Sequence, residues 1–331
     1  MSSREPTSQL VGDKVNRRGF FDLTAPREIA VVRLSRRAMA TGWEIVLPWE
    51  RETAPEPIAR DMYELLDRLE SQLTVYRDDS EVSRFNRQAA RGPVKVEPGL
   101  FELLRLVEQI HGETDGCFDA ATGALIKAWG FFKGPRAVPS STRLAQTIWG
   151  WKHIELRDDR TLKYRIPGVE INLGSIGKGY ALDRLGERLA RRWKIRTALL
   201  HGGSSSLYAI GDPHGNGRGW VVDIRHPWQR DRVMHRVELR NQALGTSAAT
   251  FQYIEHEGRK LGHVLDPRNG WPASGIASAS VIAPTAAQAD ALSTAFYVGG
   301  VELARRYCSE HNGVTAVLLP EGADSPLILG E

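Results

Sequence analysis

The stretch APTAAQADALSTAFYVGG, residues 283–300, constrains the fold more than any other. Its run of small and apolar side chains suits a helix packed inside a protein. Within it stand Asp290 and Thr294, four residues apart and so on one helical face. An unpaired carboxylate buried among Ala, Leu and Phe is costly. Two arrangements relieve it. In one, Asp290 bonds to a hydroxyl while Thr294 bonds back to a carbonyl. In the other, carboxylate and hydroxyl hold a hard cation such as Mg²⁺, which accepts one carboxylate, neutral oxygens and substrate phosphate.

Around this helix the chain alternates between strand and helix patterns. EIAVVRLSRRAMATGWEIVLP reads as two short strands, and Met62, Leu65, Leu66, Leu69 and Leu73 recur at helical spacing. TVYRDDSEVSRFNR carries turn chemistry. Residues 98–112 form an amphipathic helix, and a polar insert over 134–150 leads to strands at 153–157 and 162–171. INLGSIGKGYALDRLGERLARRW is a glycine turn running into a helix. TALLHGGSSSLYAIGDP reads strand, turn, strand. Mostly β-structure follows to about 282, then the opening helix, another at 300–310 and a final hairpin. Long strands of antiparallel character with separated helices indicate an α+β fold: mixed, largely antiparallel sheets with helices packed against them. Residues 1–28 read as a flexible tail and 29–331 as one domain.

Several segments invite chemical readings, each with a plainer counterpart. GSIGKG (174–179) is not a phosphate loop, because G-x-x-x-x-G-K-[ST] needs glycine where Asn172 stands and a hydroxyl where Gly179 stands. Its glycines can bring backbone close to a ligand, and Lys178 adds a point charge; the alternative is a tight strand-to-helix turn. GHVLDPRNGWP sets His263 beside a rigid turn, either as a general base or as an ordinary loop histidine. Tyr76 either lids the core or stacks on a flat heterocycle. GNGRG (215–219) lacks the helix of a dinucleotide fingerprint and reads as a hairpin turn.

Composition removes other classes. The net charge is only +4, with acidic and basic residues interleaved, which argues against nucleic acid. Two cysteines, Cys117 and Cys308, give neither a disulfide framework nor a cysteine zinc site. No apolar run is long enough to span a membrane. NRRGFF looks like a twin-arginine signal, but Asp22, Pro26, Arg27 and Glu28 follow where an apolar stretch belongs. A cytoplasmic location is expected, with export through a degenerate signal as the alternative.

Taken in order, VYRDDSEVSRFN (75–86), GCFDAATGALIKAWGF (116–131), INLGSIGKGYALDRL (171–185), HGGSSSLYAIG (201–211), ALGTSAAT (243–250), GHVLDPRNG (262–270) and ADALSTAF (289–296) resemble the ApbE family, the FAD:protein FMN transferases. The resemblance runs from about Arg37 to Val317. It implies a T-fold-like α+β domain that binds FAD and Mg²⁺ and moves FMN to a Thr or Ser hydroxyl of an acceptor protein, releasing AMP. By position it implies FAD contacts at Met39, Tyr76, Cys117, Phe118, Asp119, Lys178, Val264 and Leu265. It implies metal ligands at Asp290, Ser293, Thr294 and the backbone carbonyl of Ser175, and a hydroxyl-activating base at His263. Three places depart from the family pattern. Asn172 stands for an aspartate, Ala248 for a glycine, and Ser204–Ser206 follow the Gly202–Gly203 pair. With water as acceptor the same site is an FAD pyrophosphatase giving FMN and AMP; without turnover it is a flavin-binding protein.

Overall fold

A computed structural model describes residues 21–23, 29–49, 54–229, 231–248 and 253–330. The chain divides into two compact units, each assembled from separate stretches. One comprises the N-terminal part to Glu70, Lys178–Gly245 and Ile282–Ala289. The other comprises Ser71–Gly177, Thr246–Val281 and Asp290–Glu331.

The first unit is built on five antiparallel strands, ordered Gln242–Ser247, Ser206–Ile210, Ala198–Gly202, Thr41–Pro48 and Val31–Ala38. Val31–Ala38 and Thr41–Pro48 are the two strands expected from the sequence, paired as a hairpin. Met39 and Ala40 make its tight turn with φ of 48° and 60°, a conformation two L-residues adopt only under the constraint of paired strands. The helix Pro55–Leu73 buries Met62, Leu65, Leu66 and Leu69 on one stripe. Its buried Asp61 receives Arg188, Arg192 and the Trp193 indole from the helix Gly177–Arg192 and the residue after it. A smaller antiparallel sheet joins Phe21–Leu23, Trp220–Arg225 and Val233–Leu239. Phe21–Leu23 falls within the stretch read as a flexible tail; there its backbone pairs with the open edge of Trp220–Arg225. The rest of that stretch, and most of the NRRGFF motif, lies outside the described residues.

The second unit carries the helices Glu81–Gln88 and Pro98–Glu113 and a three-stranded sheet of Val94–Lys95, Thr161–Tyr164 and Ile154–Arg157. It also holds the hairpin Tyr253–His256/Arg259–Gly262 and the adjacent strands Ile276–Ala283, Thr315–Pro320 and Leu327–Leu329. Every residue of Ile276–Ala283 is buried. The helical stretch Ala286–Glu310 begins in the first unit and continues through the second. Gly300, at φ 76° and ψ −166°, breaks it into the two helices expected.

Three sequence expectations are corrected. Residues 81–88, read as turn, are a helix; Ser80 caps it by accepting the Ser83 N–H, and Val82 and Phe85 supply its buried face. The strand expected over 162–171 ends at Tyr164, because Pro167 and Gly168 (φ 93°) turn the chain. The polar insert contains a short helix, Ser141–Gln146, capped by Ser140. Among the described residues no helix is long and apolar enough to cross a membrane.

Candidate active site

The helix from Ala286 shows one of the two arrangements at Asp290. Asp290 is 5% exposed, and its backbone carbonyl accepts the Ser293 hydroxyl at 2.8 Å and the Thr294 hydroxyl at 3.4 Å. The back-bonding arrangement is therefore present. It does not stand alone. Ser247, at the end of its strand, brings a third hydroxyl, 2.9 Å from Ser293 Oγ and 3.1 Å from Thr294 Oγ1. Two hydroxyls of the helix, on the Asp290 backbone carbonyl, thus meet a third from a strand, while the helix residues Ala289, Ala291, Leu292, Ala295 and Phe296 are fully buried and apolar. Among the described residues no three His, Cys, Asp or Glu side chains group to hold a metal. One carboxylate with hydroxyl oxygens fits instead the donor chemistry of Mg²⁺, which leaves most positions to water and phosphate.

The helix that carries Asp290 is held firmly at its start. Thr285 is its N-cap, its hydroxyl accepting the Gln288 N–H at 3.2 Å. Asp183 takes the two N–H groups before that, Ala286 to Oδ1 at 2.8 Å and Ala287 to Oδ2 at 2.9 Å. The three free donors of the first turn are thereby satisfied. Gly179 lies against the same turn, where a Cβ would collide with the Ala286 carbonyl. This glycine of GSIGKG lets two helices approach closely, a role neither sequence reading named. Met39 and Lys178 belong to this first unit; both are half-buried, and Lys178 is the second residue of its helix.

Ser175 sits in the turn that precedes Gly177, half-buried. Asn172 shapes that turn: its Oδ1 accepts the Gly174 N–H at 2.9 Å, while its own N–H binds the Ala120 carbonyl at 2.8 Å. An amide oxygen does for this turn what a carboxylate oxygen would do, so the departure from aspartate preserves the loop and removes only charge.

The run Cys117–Phe118–Asp119 points inward. Cys117 is 2% exposed and Phe118 wholly buried. Only their backbones are left to meet a ligand. Asp119 stitches two loops together, Oδ1 accepting Ala121 N–H at 2.7 Å and Oδ2 accepting Trp151 N–H at 2.8 Å. Burial raises its pKa, and the Trp151 bond, His111 and the Ala121 bond pull it back.

His263, Val264 and Leu265 enter a closed loop. Ala273 N–H donates to the Val264 carbonyl at 2.9 Å, and Asp266 N–H to the Trp271 carbonyl at 2.7 Å. Asp266 is engaged by Arg268, whose Nη2 donates to Oδ2 at 2.7 Å and whose Nε donates to Oδ1 at 2.9 Å. These bonds build the turn that follows His263. Two indoles clamp this loop from outside, Trp149 to the Pro267 carbonyl at 2.7 Å and Trp129 to the Gly270 carbonyl at 2.9 Å. Leu265 packs in an apolar cluster with Leu125, Trp129 and Ile254. Tyr76 is 59% exposed and stacks on Phe132, centroids 4.7 Å apart at 15°. Its ring is a surface feature, not a lid on the core.

A family model described as the ApbE family matches residues 39–319. The chain belongs to the ApbE family. Relatives named FAD:protein FMN transferase include one from Klebsiella pneumoniae, 29% identical over 90% of this chain and 87% of its own length. Another, from Treponema pallidum, is 30% identical over 78% and 76%. The ApbE protein from Thermotoga maritima superposes with a TM-score of 0.79 at 28% identity, over 90% of this chain and 96% of that one. The flavinyl transferase ApbE of Pseudomonas stutzeri is 27% identical and covers 92% and 96%, with a TM-score of 0.78. The mixed fold of helices and antiparallel sheets is the fold of these ApbE structures. Three groups that sequence reasoning left without a role are Ser247, Asp183 and the indoles of Trp129 and Trp149. All but Trp149 lie inside motifs quoted above, yet only the fold shows what each bonds.

Proposed function

We propose that this chain transfers the FMN half of FAD to a Thr or Ser hydroxyl of an acceptor protein and releases AMP. The observation that carries the reading is the Asp290–Ser293–Thr294–Ser247 cluster, hard oxygen donors where a strand end meets an otherwise apolar stretch of helix. Asp290, Ser293, Thr294 and the carbonyl of Ser175 hold Mg²⁺ in this account, with Ser247 fixing both hydroxyls. Bound there, the ion neutralises charge on the pyrophosphate. Lys178, at the start of its helix, adds a further positive charge for the phosphates. The exposed face of Tyr76 stacks on a flat ring of FAD. His263 takes the proton from the acceptor hydroxyl as that oxygen bonds to the FMN phosphorus and the bond to AMP breaks. The names of the relatives support the reaction, and the hydroxyl cluster supports the metal.

Two substitutions test the division of labour. Asp290→Ala is expected to abolish Mg²⁺-dependent AMP release while the circular dichroism spectrum stays that of the parent. His263→Ala is expected to keep FAD affinity and to slow transfer by about 10²–10⁴-fold, the scale of a lost general base. Full AMP release by the Asp290 variant removes the metal site from the account; full transfer by the His263 variant removes the base.

A further inference from the structure

The loop Trp129–Lys133 touches two groups that the sequence separates widely. Phe132 stacks on Tyr76, and its neighbour Phe131 meets the His263 ring edge-on, centroids 6.4 Å apart at 71°. Adjacent residues on one turn thus contact both the candidate flavin-stacking ring and the candidate base.

The loop is rigid enough to matter. Trp129 is fully buried, and its indole N–H is fixed on the Gly270 carbonyl of the His263 loop. Backbone N–H groups of Trp129, Gly130 and Phe131 bond to the Leu125, Lys127 and Ile126 carbonyls, and Gly134 N–H bonds to the Gly130 carbonyl. Gly130 has φ 72°, and a Cβ there would collide with the Pro135 carbonyl, so the turn closes only with glycine. The ammonium groups of Lys127 and Lys133 lie over the Phe132 ring, 5.2 Å and 5.0 Å from its centroid. These hold Phe132 in place as a backing for Tyr76.

We infer that this loop is a shared positioning element: Phe132 sets Tyr76 for flavin binding, and Phe131 sets the His263 imidazole for proton transfer. The inference rests on the reading of Tyr76 and His263 given above. Neither phenylalanine touches reacting atoms in this account; each acts through its neighbour. Edge-to-face and stacked contacts impose orientation as well as apolar area, so a leucine of similar bulk keeps the packing and loses the alignment.

The experiment compares Phe131→Leu and Phe132→Leu in the full chain. Three readouts are taken: FAD dissociation constant by flavin fluorescence, kcat at saturating FAD, and the line width of the His263 ring-proton resonance without ligand. Phe132→Leu is expected to raise the FAD dissociation constant about 5–50-fold, a share of base-on-aromatic stacking, with kcat and the His263 resonance within twofold of the parent. Phe131→Leu is expected to leave FAD affinity within twofold, lower kcat about tenfold and broaden the His263 resonance. Substituting tyrosine at either position restores the ring and is expected to restore the readout. The same readout moving in both variants, or none moving in either, overturns the inference. If the parent binds FAD but releases no AMP, the transferase reading fails; the flavin affinity and the resonance still decide the positioning roles.

Discussion

Asp183→Ala is the perturbation whose size follows most directly from the structure. Asp183 accepts the Ala286 and Ala287 N–H groups at 2.8 and 2.9 Å, one oxygen each. Losing one side-chain cap costs about 0.5–2 kcal/mol in ordinary helices. Here two bonds go, both to a charged acceptor, and the donors are buried: Ala286 is 2% and Ala287 3% exposed. Water replaces the carboxylate poorly, and the favourable charge at the helix N-terminus is lost as well. The expected cost is about 2–4 kcal/mol, a fall in thermal midpoint of about 3–6 °C for a chain of this length. Asp183→Asn, which keeps one acceptor oxygen, falls between. Asp290 lies one turn further along the same helix, so AMP release drops with the cap. Scanning calorimetry alongside AMP release checks both. A midpoint equal to the parent's refutes the reasoning, because it means the first turn does not depend on Asp183.

Other outcomes follow from single contacts. Tyr76→Ala is expected to weaken FAD binding by about 1–3 kcal/mol; a fluorescence titration with an unchanged dissociation constant shows that the ring only packs on Phe132. Asn172→Asp keeps the acceptor for the Gly174 N–H and adds a charge close to Ser175, so the Mg²⁺ concentration for half-maximal AMP release is expected to fall while the thermal midpoint stays within about 1 °C, the span of less than 1 kcal/mol. An unchanged Mg²⁺ requirement separates that turn from the metal. Burial raises the pKa of both cysteines, Cys308 to about 11. Each thiol is then neutral and unreactive at pH 8 in the folded chain, and iodoacetamide is expected to label neither until denaturant is added. The sign for stability follows: the folded thiol holds its proton more tightly, so this contribution is present below the unfolded value near 9.0 and is lost as pH rises towards about 11.

How much of this was legible in the sequence depends on whether a feature is local. The two strands before the first helix, the helix over 98–112 and the second helix from 300 follow from local pattern, and the structure holds them. The helix 81–88 was hidden because Asp78, Asp79 and Ser80 announce a turn; Ser80 is in fact the cap that begins the helix. The i, i+4 pair Asp290 and Thr294 was visible as one face. Its partner Ser247 was not, because a hydroxyl 46 residues from Ser293 meets it only through tertiary packing. Asp183 is likewise 103 residues from the N–H it caps. The glycine at 179 invited a ligand reading, whereas the collision its Cβ would make is with another helix. Asn172 read as a lost charge; the fold shows a retained acceptor.

The most direct test of the central claim mixes the purified chain with FAD, with and without Mg²⁺, and a peptide bearing Thr in an Asp-Gly-x-Thr-Ser-Gly-Ala-Thr-like context. AMP release and peptide mass are followed together. The account predicts AMP and a peptide heavier by one FMN less one water, both dependent on Mg²⁺. AMP with free FMN and an unmodified peptide contradicts transfer in favour of hydrolysis, and bound FAD with no AMP under any condition contradicts catalysis altogether.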